Sequence, residues 1–520
     1  MTQRVTSAYE HKLQSAYWSI SNRGICVEPS RLIEAGAIID AEIQRNLQIC
    51  TNQWGCVVFV GKDSNPDLQD DPEDEDDSED QDESEPAPAI PSSNAAPVNI
   101  NATRGKYAFL QKLKDLGYNV PKITKKDQDG NYDQHFSTGE LAIQKMLSEN
   151  QFKYPGGDPA LRSVLKIREL GKLKTSYLNA RLFHSGEAYF FLSNYNVAGT
   201  LTGRRSSRRH TFSFGNNGQN FPKHSSVAGL FRRALVARVG NILVFVDQIQ
   251  AEDWPVSALS GNQSALGDLR AGIDRHSQLA TMIWGHRVPP KTALDWSDAL
   301  YEQERYIGKK ARHANNYGMK PPRFRDVLVQ EASLTVTEAT CRDILNKVNQ
   351  ADPSVQGVFH KYVQDTLSSS RVLITPEPFC RERQALCLRP TDGNSNLIKE
   401  YYAFIPQSTV GDNTGYAVLE IEGTHPGNIV QEGHDSIVQD VPDSDESVFQ
   451  TCLWTAAAFK RTIRFYNGIE IEIPIEYEIG YDFKDTVKVK VPTLECIHEA
   501  RQKLQDKVRK NNAVQVAVLA

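Results

Sequence analysis

Five apolar residues run from Ile242 to Val246 and stop at Asp247, the pattern of a strand buried on both faces with a carboxylate at its end. Residues 256–370 read as helical, and strand patterns return only from residue 416, where TIRFY and IEIEIPIEYEI flank Asn467 and Gly468 as a hairpin. A sheet that includes Ile242–Val246 and these later strands is therefore split by a helical excursion.

Upstream the pattern is different. RLIEAGAIIDAEIQRNLQI, KYAFLQKLKDLGY, STGELAIQKMLSEN and LRSVLKIRELGKLKTSYLNARL all carry apolar residues three and four apart, so residues 1–190 are expected to form a mostly helical domain. Between the first two lies an acidic tract that passes into PAPAIPSSNAAPVNINA, and residues 62–104 are expected to stay unfolded because they offer too little apolar surface to bury. From Tyr189, FFLSNYNVAGTLTGRRSS reads as short strands and turns. Residues 496–520 read as a basic helical tail. There is no internal repeat.

Composition excludes several classes. A hydrophobic share of 39% beside 24% charged residues is that of an ordinary globular chain, and no apolar run approaches the roughly 20 residues of a bilayer span. The N-terminus lacks the apolar stretch of a signal peptide, so no membrane partner and a cytoplasmic location are expected, the host cytoplasm if the gene is viral. The eight cysteines form no CxxC pair and no zinc-like spacing with histidine, consistent with reduced thiols. A net charge of −6 conceals fourteen acids in residues 63–85; without them the remainder is +8, which suits a polyanionic partner.

Three short segments carry chemistry. Asp247 at the end of its strand and Asp435, beside His434 and ahead of Ile437 and Val438, would each leave a charge that is expensive to bury unless a cation meets it. A pair of magnesium ions answers both demands, because Mg²⁺ takes a few carboxylate oxygens and shares the rest with phosphate. Taken singly, either acid is more simply a turn or cap residue. In RYIGKKARHANNYG, Arg305, Lys309, His313 and Tyr317 stand four apart and form one stripe of a helix that Gly318 ends. A cationic stripe destabilises its own helix slightly, so it makes most sense facing an anion; a solvated basic face is the plainer alternative. TGRRSS at 202–207 places Arg204 and Arg205 in a turn suited to phosphate and minor-groove contacts.

Taken in order, these segments resemble the family A DNA polymerases, the group of bacterial DNA polymerase I and many phage replicases. DQIQAEDWPVSALSG from Asp247 is similar to the family's DYSQIELRxxAHLSG, with Asp247, Gln250, Glu252 and Leu259-Ser260-Gly261 in register. The helix matches RxxxKxxx(F/Y)xxxYG, DRHSQLAT at 274–281 is similar to DxHxxTA, and TGRRSS, QNFP, FRRAL, PQSTVGD and HDS follow the family order. KIRELGKLKTSY at 166–177, with Lys172, resembles the thumb helix that grips duplex DNA.

The resemblance implies a multidomain α+β right-hand polymerase: a helical thumb in 1–190, an antiparallel palm sheet from 191–255 and 406–495, and helical fingers in 256–405. It implies primer-template DNA and dNTPs as partners, with two Mg²⁺ ions on Asp247, Asp435 and the Gln248 backbone carbonyl. Arg305, Lys309 and His276 would hold the triphosphate, and Lys309 would protonate departing pyrophosphate. Glu252 would be the steric gate against ribose, with Gln250, His313 and Tyr317 completing the nucleotide pocket; Arg204, Gln407, His434, Gly318 and Lys172 would contact DNA.

Several positions depart from the pattern. Gln248, Ile249 and Trp254 replace Tyr, Ser and Arg; Asp253 replaces an apolar residue; His313 stands where Phe or Tyr is usual; Ser436 replaces the Glu after HD. A thumb-like SISNRGICVEPSRL begins by residue 19, so no proofreading domain is expected on this chain, which leaves room for a separate exonuclease or processivity partner. Two rival readings are a single-subunit RNA polymerase, against which Glu252 argues, and an inactive DNA-binding accessory.

Overall fold

The computed structural model describes residues 2–60, 98–100, 106–126, 132–149, 157–222, 226–293, 296, 298–332, 334, 336–385 and 395–519. The chain divides into two compact units, one of residues 1–33, 179–328 and 336–520, the other of residues 34–178 and 329–335. No helix among the described residues is long and apolar enough to cross a membrane.

The larger unit is organised by a five-stranded antiparallel sheet. Its strands are β1 (Asn241–Gln248), β2 (Ile429–Glu432), β3 (Ser436–Pro442), β4 (Ile475–Gly480) and β5 (Thr486–Val489), in the spatial order β2-β3-β1-β4-β5. The strand that opens the apolar pattern is thus the central one. Alternation sends Ile242, Val244 and Val246 of β1 to one face, where they pack with Ile437, Val441, Tyr477 and Ile479. Helix Thr2–Arg23 closes this core through Tyr9, Leu13, Tyr17 and Ile20, spaced three and four apart. The first 33 residues therefore belong with the sheet and not with the helical unit that was expected to span 1–190. Local periodicity shows that a helix has an apolar face but not which core receives it.

The helical excursion supplies α1 (Asp253–Leu259), α2 (Arg275–Trp284), α3 (Asp298–Asn316) and α4 (Ser395–Thr424). A second core runs through it, from Trp254 and Leu259 to Tyr317, Phe359 and Phe404, and takes in Ile463 and Ile473. Strands were expected from residue 416, but α4 continues to Thr424. Ala417, Val418 and Ile421 occupy one helical face and are buried in the sheet core, and that packing overrides the strand preference of the segment. The hairpin at Asn467-Gly468 forms, with Ile463–Arg464 paired to Glu470–Ile471 and Gly468 at φ +78.

After α5 (Asp445–Phe459) and the last strands, α6 (Leu494–Leu519) is no loose tail. Ile497, Ala500 and Leu504 are buried in the sheet core, and Arg501 binds Asp443 at 2.7 Å and also pairs with Asp445.

The smaller unit is mostly helical, with most of helix Pro29–Trp54 and helices Lys106–Asp115, Glu140–Glu149 and Pro159–Leu173 around Trp54, Phe109, Ile143, Met146, Leu161 and Ile167. The fully buried Asp158 caps the last of these, accepting from the Ala160 and Leu161 amides at 3.0 and 3.2 Å. Two strand pairs accompany these helices, which the expectation of a mostly helical domain had not located. Lys122–Lys126 and Tyr132–Phe136 form an antiparallel pair, and Val98–Asn99 pairs in parallel with Val58–Phe59, with Val98 and Ile100 buried. Residues 98–100 of the segment expected to be unfolded are thus folded; residues 61–97 and 101–105 lie outside the described residues.

Candidate active site

The register of the large sheet decides where the two acids lie. Asp247 stands opposite Ser436 of β3 on one side and Glu476 of β4 on the other. Asp435 is the residue next to Ser436, and its carbonyl accepts from the Gln248 amide at 3.1 Å. The acids thus meet at one end of one sheet. Asp247 is exposed and Asp435 half-buried, so the expectation of a carboxylate buried behind Val246 is corrected: Asp247 points away from the core face that holds Val246. The turn before β3 is tight, with the Asp435 amide donating to the Gly433 carbonyl at 2.9 Å and His434 at φ +70. Beneath it Glu432 is fully buried, accepting from Gln219 at 2.7 Å and the His434 amide at 2.9 Å, and burial pushes its carboxyl up to about 7.

Among the described residues no three His, Cys, Asp or Glu side chains gather closely enough to enclose a metal ion. Two carboxylates at one sheet end nonetheless suit a hard cation, which takes a few carboxylate oxygens and fills its other positions with water and phosphate oxygens. Sequence reading missed Glu476, whose cross-strand place beside Asp247 only the register reveals; it is engaged by Lys488.

The stripe on α3 forms as spaced, but its members differ. Arg305 makes a two-pronged contact with Asp274, at 2.7 and 3.3 Å, so the anion that faces it belongs to its own chain. Asp274 also caps α2, accepting from the His276 and Ser277 amides. Lys309 is exposed and, among the described residues, has no carboxylate within ion-pair distance. His276 lies on α2 beside these cations. Burial, with Asp253 acting against it and Arg305, Lys309 and Arg312 in the same sense, lowers its imidazole to about 4, so it is neutral at pH 7. The two helices approach closely because residue 308 is glycine: a Cβ there would lie 2.6 Å from the His276 carbonyl.

Glu252 gathers a second cluster. It accepts from the Tyr317 hydroxyl, pairs with Arg204 and has His313 Nδ1 at 3.6 Å. Burial raises its carboxyl, but Arg204, His313 and the Tyr317 hydroxyl together hold it below the usual carboxylate range. His313 packs edge-on to Tyr317 at 4.7 Å. His434 is held neutral, at about 4, by burial and by Arg204 and Arg205.

Other expected residues take structural parts. Gln248 is buried and bonds Thr414 and Asn413 of α4 at 2.9 and 2.8 Å. Gln250, at φ +49, ties its loop to α2 through the Ile273 carbonyl and the Arg275 amide. Gln407 is buried within α4, where PQSTVGD forms helix and not a turn. Gly318 ends α3 at φ +66 with the Met319 amide donating to Ala314. Lys172 is exposed on its helix in the smaller unit. The two arginines of TGRRSS diverge: Arg204 joins Glu252, whereas Arg205 is fully buried against Tyr9 and the Gly411 carbonyl, in space that a side chain at Gly415 would fill.

Residues 94–485, most of the chain, match the family model for DNA polymerase family A. The chain belongs to that family. It is 27% identical over 337 residues to the thermostable DNA polymerase I of Thermus filiformis, a stretch covering 62% of this chain and 36% of that protein. It is 21% identical over 393 residues to DNA polymerase I of Caldicellulosiruptor bescii, covering 73% of this chain and 40% of that protein. The chain spans well under half the length of these curated relatives. In fold it is similar to the POL domain of Pol1 from M. smegmatis, solved in complex with DNA primer-template and dNTP, with a TM-score of 0.64 at 16% identity over 91% of this chain and 70% of that one. Its fold is accordingly the right hand of a family A polymerase, with the five-stranded sheet as palm and the excursion that carries α3 as fingers.

Proposed function

We propose that this chain is a template-directed DNA polymerase that joins a dNTP to a primer 3′-OH. The observation that carries the reading is the meeting of Asp247 and Asp435 at one end of the palm sheet. Their carboxylates, with the Gln248 carbonyl, would hold two Mg²⁺ ions. Ions held there supply Lewis-acid activation of the primer hydroxyl and neutralisation of the charge that grows on pyrophosphate.

The chain's own residues do the rest. Lys309, exposed on α3, is the cation nearest in kind to a phosphate ligand and the donor of a proton to the leaving group. Arg305 reaches a phosphate by sharing or leaving Asp274. His276, neutral at pH 7, serves as a hydrogen-bond donor and adds no charge. Glu252, fixed by Arg204 and Tyr317, presents a rigid carboxylate to the sugar and excludes a 2′-OH, with Gln250, His313 and Tyr317 shaping the pocket around it. Arg204 and His434 would meet the primer end, Gln407 and Gly318 the nascent pair and template, and Lys172 the duplex.

Extension of a primed template with dNTP and Mg²⁺ tests the reading. Purified protein that binds the duplex but extends nothing favours an inactive DNA-binding accessory instead. Wild-type protein that inserts ribonucleotides as readily as deoxyribonucleotides favours an RNA polymerase.

A further inference from the structure

Asp253, where the family pattern has an apolar residue, is the first residue of α1 and directly follows Glu252. Its side chain is buried, with 6% exposure. Oδ1 accepts from Asn316 Nδ2 at 3.4 Å, and Oδ2 faces Arg312 Nε at 3.5 Å. Arg312 and Asn316 are four residues apart on α3 and so share one face. The stripe Arg305, Lys309, His313 and Tyr317 has the same spacing one residue further on, about 100° around the helix. A rigid helix cannot turn one row without turning the other.

We propose that Asp253 is a positioning residue for the incoming nucleotide: by gripping Arg312 and Asn316 it sets the rotation of α3, and with it where Lys309, Arg305 and His313 are presented. The inference rests on the nucleotide-binding reading of α3. Gly308 fixes how closely α3 approaches α2, whereas Asp253 fixes which face it shows. A second buried cluster ties α1 to α2. Arg275, also buried, donates to Ser257 of α1 at 3.0 Å and lies 3.7 Å from Asp352, which in turn accepts from Asn262 and Ser354. The Asp253 Oδ2 and Arg312 Nε atoms are buried without a directed hydrogen bond among the described residues, so the pair is held by charge and a small displacement of α3 changes it.

The test compares single-nucleotide insertion kinetics, melting temperature and equilibrium binding of dATP for wild type, Asp253→Asn, and the double change Asp253→Leu with Arg312→Leu. The double change leaves no uncompensated buried charge. The expected result is a KM for dNTP and a Kd for dATP raised about tenfold or more in both variants, with primer-template affinity unchanged and melting restored in the double change; a misplacement near 1 Å can cost about a hundredfold. If either folded variant keeps the wild-type KM and dATP affinity while only melting falls, the residue is structural and the proposal is overturned. Should Asp253→Asn not fold, the double change decides by the same criterion. Wild-type protein that neither inserts nor binds dATP overturns the nucleotide reading, and this inference with it.

Discussion

The palm end and the fingers helix hold their functional side chains by opposite means. At the palm, Asp247 and Asp435 are placed by backbone register, one near the end of β1 and the other in the turn before β3, with Asp247 exposed and Asp435 half-buried. On and just beyond α3 the polar residues are placed by side-chain contacts: Arg305 paired with Asp274, Arg312 with Asp253, and the Tyr317 hydroxyl hydrogen-bonded to Glu252. Removing a palm acid should therefore abolish chemistry and spare the fold, whereas removing a fingers partner disturbs both geometry and stability.

The sharpest break of this contrast is Asp247→Ala or Asp435→Ala. Loss of the cation ligand should lower primer extension by about a thousandfold or more, with duplex binding retained and, for the exposed Asp247, melting nearly unchanged. Near-normal extension by either purified variant removes the metal assignment. Gly308→Ala comes next. Its Cβ would meet the His276 carbonyl and Ala280, so α3 and α2 must part, at a cost of about 1–3 kcal/mol and with weaker dNTP binding. An unchanged melting temperature would show that the helices separate freely.

Glu252→Ala should relax sugar selection, raising the relative insertion of ribonucleotides roughly tenfold to a hundredfold. Unaltered discrimination would mean that another residue is the gate. The smallest expected effect is in pH dependence. His276 and His434 sit near 4 in the folded chain against an ordinary 6.5, so the unfolded chain takes up more protons between those values. Their contribution is complete above 6.5 and falls as the pH drops towards 4. His276→Gln should accordingly lose less melting temperature than wild type on going from pH 7 to pH 5, and an identical loss would show that the imidazole is not held neutral.

Much of this is legible in the amino-acid sequence. The buried run Ile242–Val246 is the central strand, the four-residue spacing from Arg305 to Tyr317 forms its helix, and Gly318 ends it, because these patterns depend on nearest neighbours and on the geometry of strand and helix. Reading failed where identical local signals have different tertiary fates. Arg204 and Arg205 are adjacent and alike in sequence, yet one meets Glu252 and the other is sealed against Tyr9 and Gly411. Val98 and Ile100 follow an acidic tract and nonetheless enter a core, and the C-terminal helix buries Ile497 and Leu504 against the sheet.

The sequence by itself determined the family, the strand that ends at Asp247 and the helix that carries Arg305, Lys309 and His313, since each is written in the spacing of a few residues. Only the tertiary structure decided that Asp247 is exposed, that Glu476 is its cross-strand neighbour, that Arg305 already has an anion and that Asp253 grips α3. The reason is physical. Burial and ion pairing are set by the residues that long-range packing brings alongside, and these lie up to hundreds of positions away along the chain.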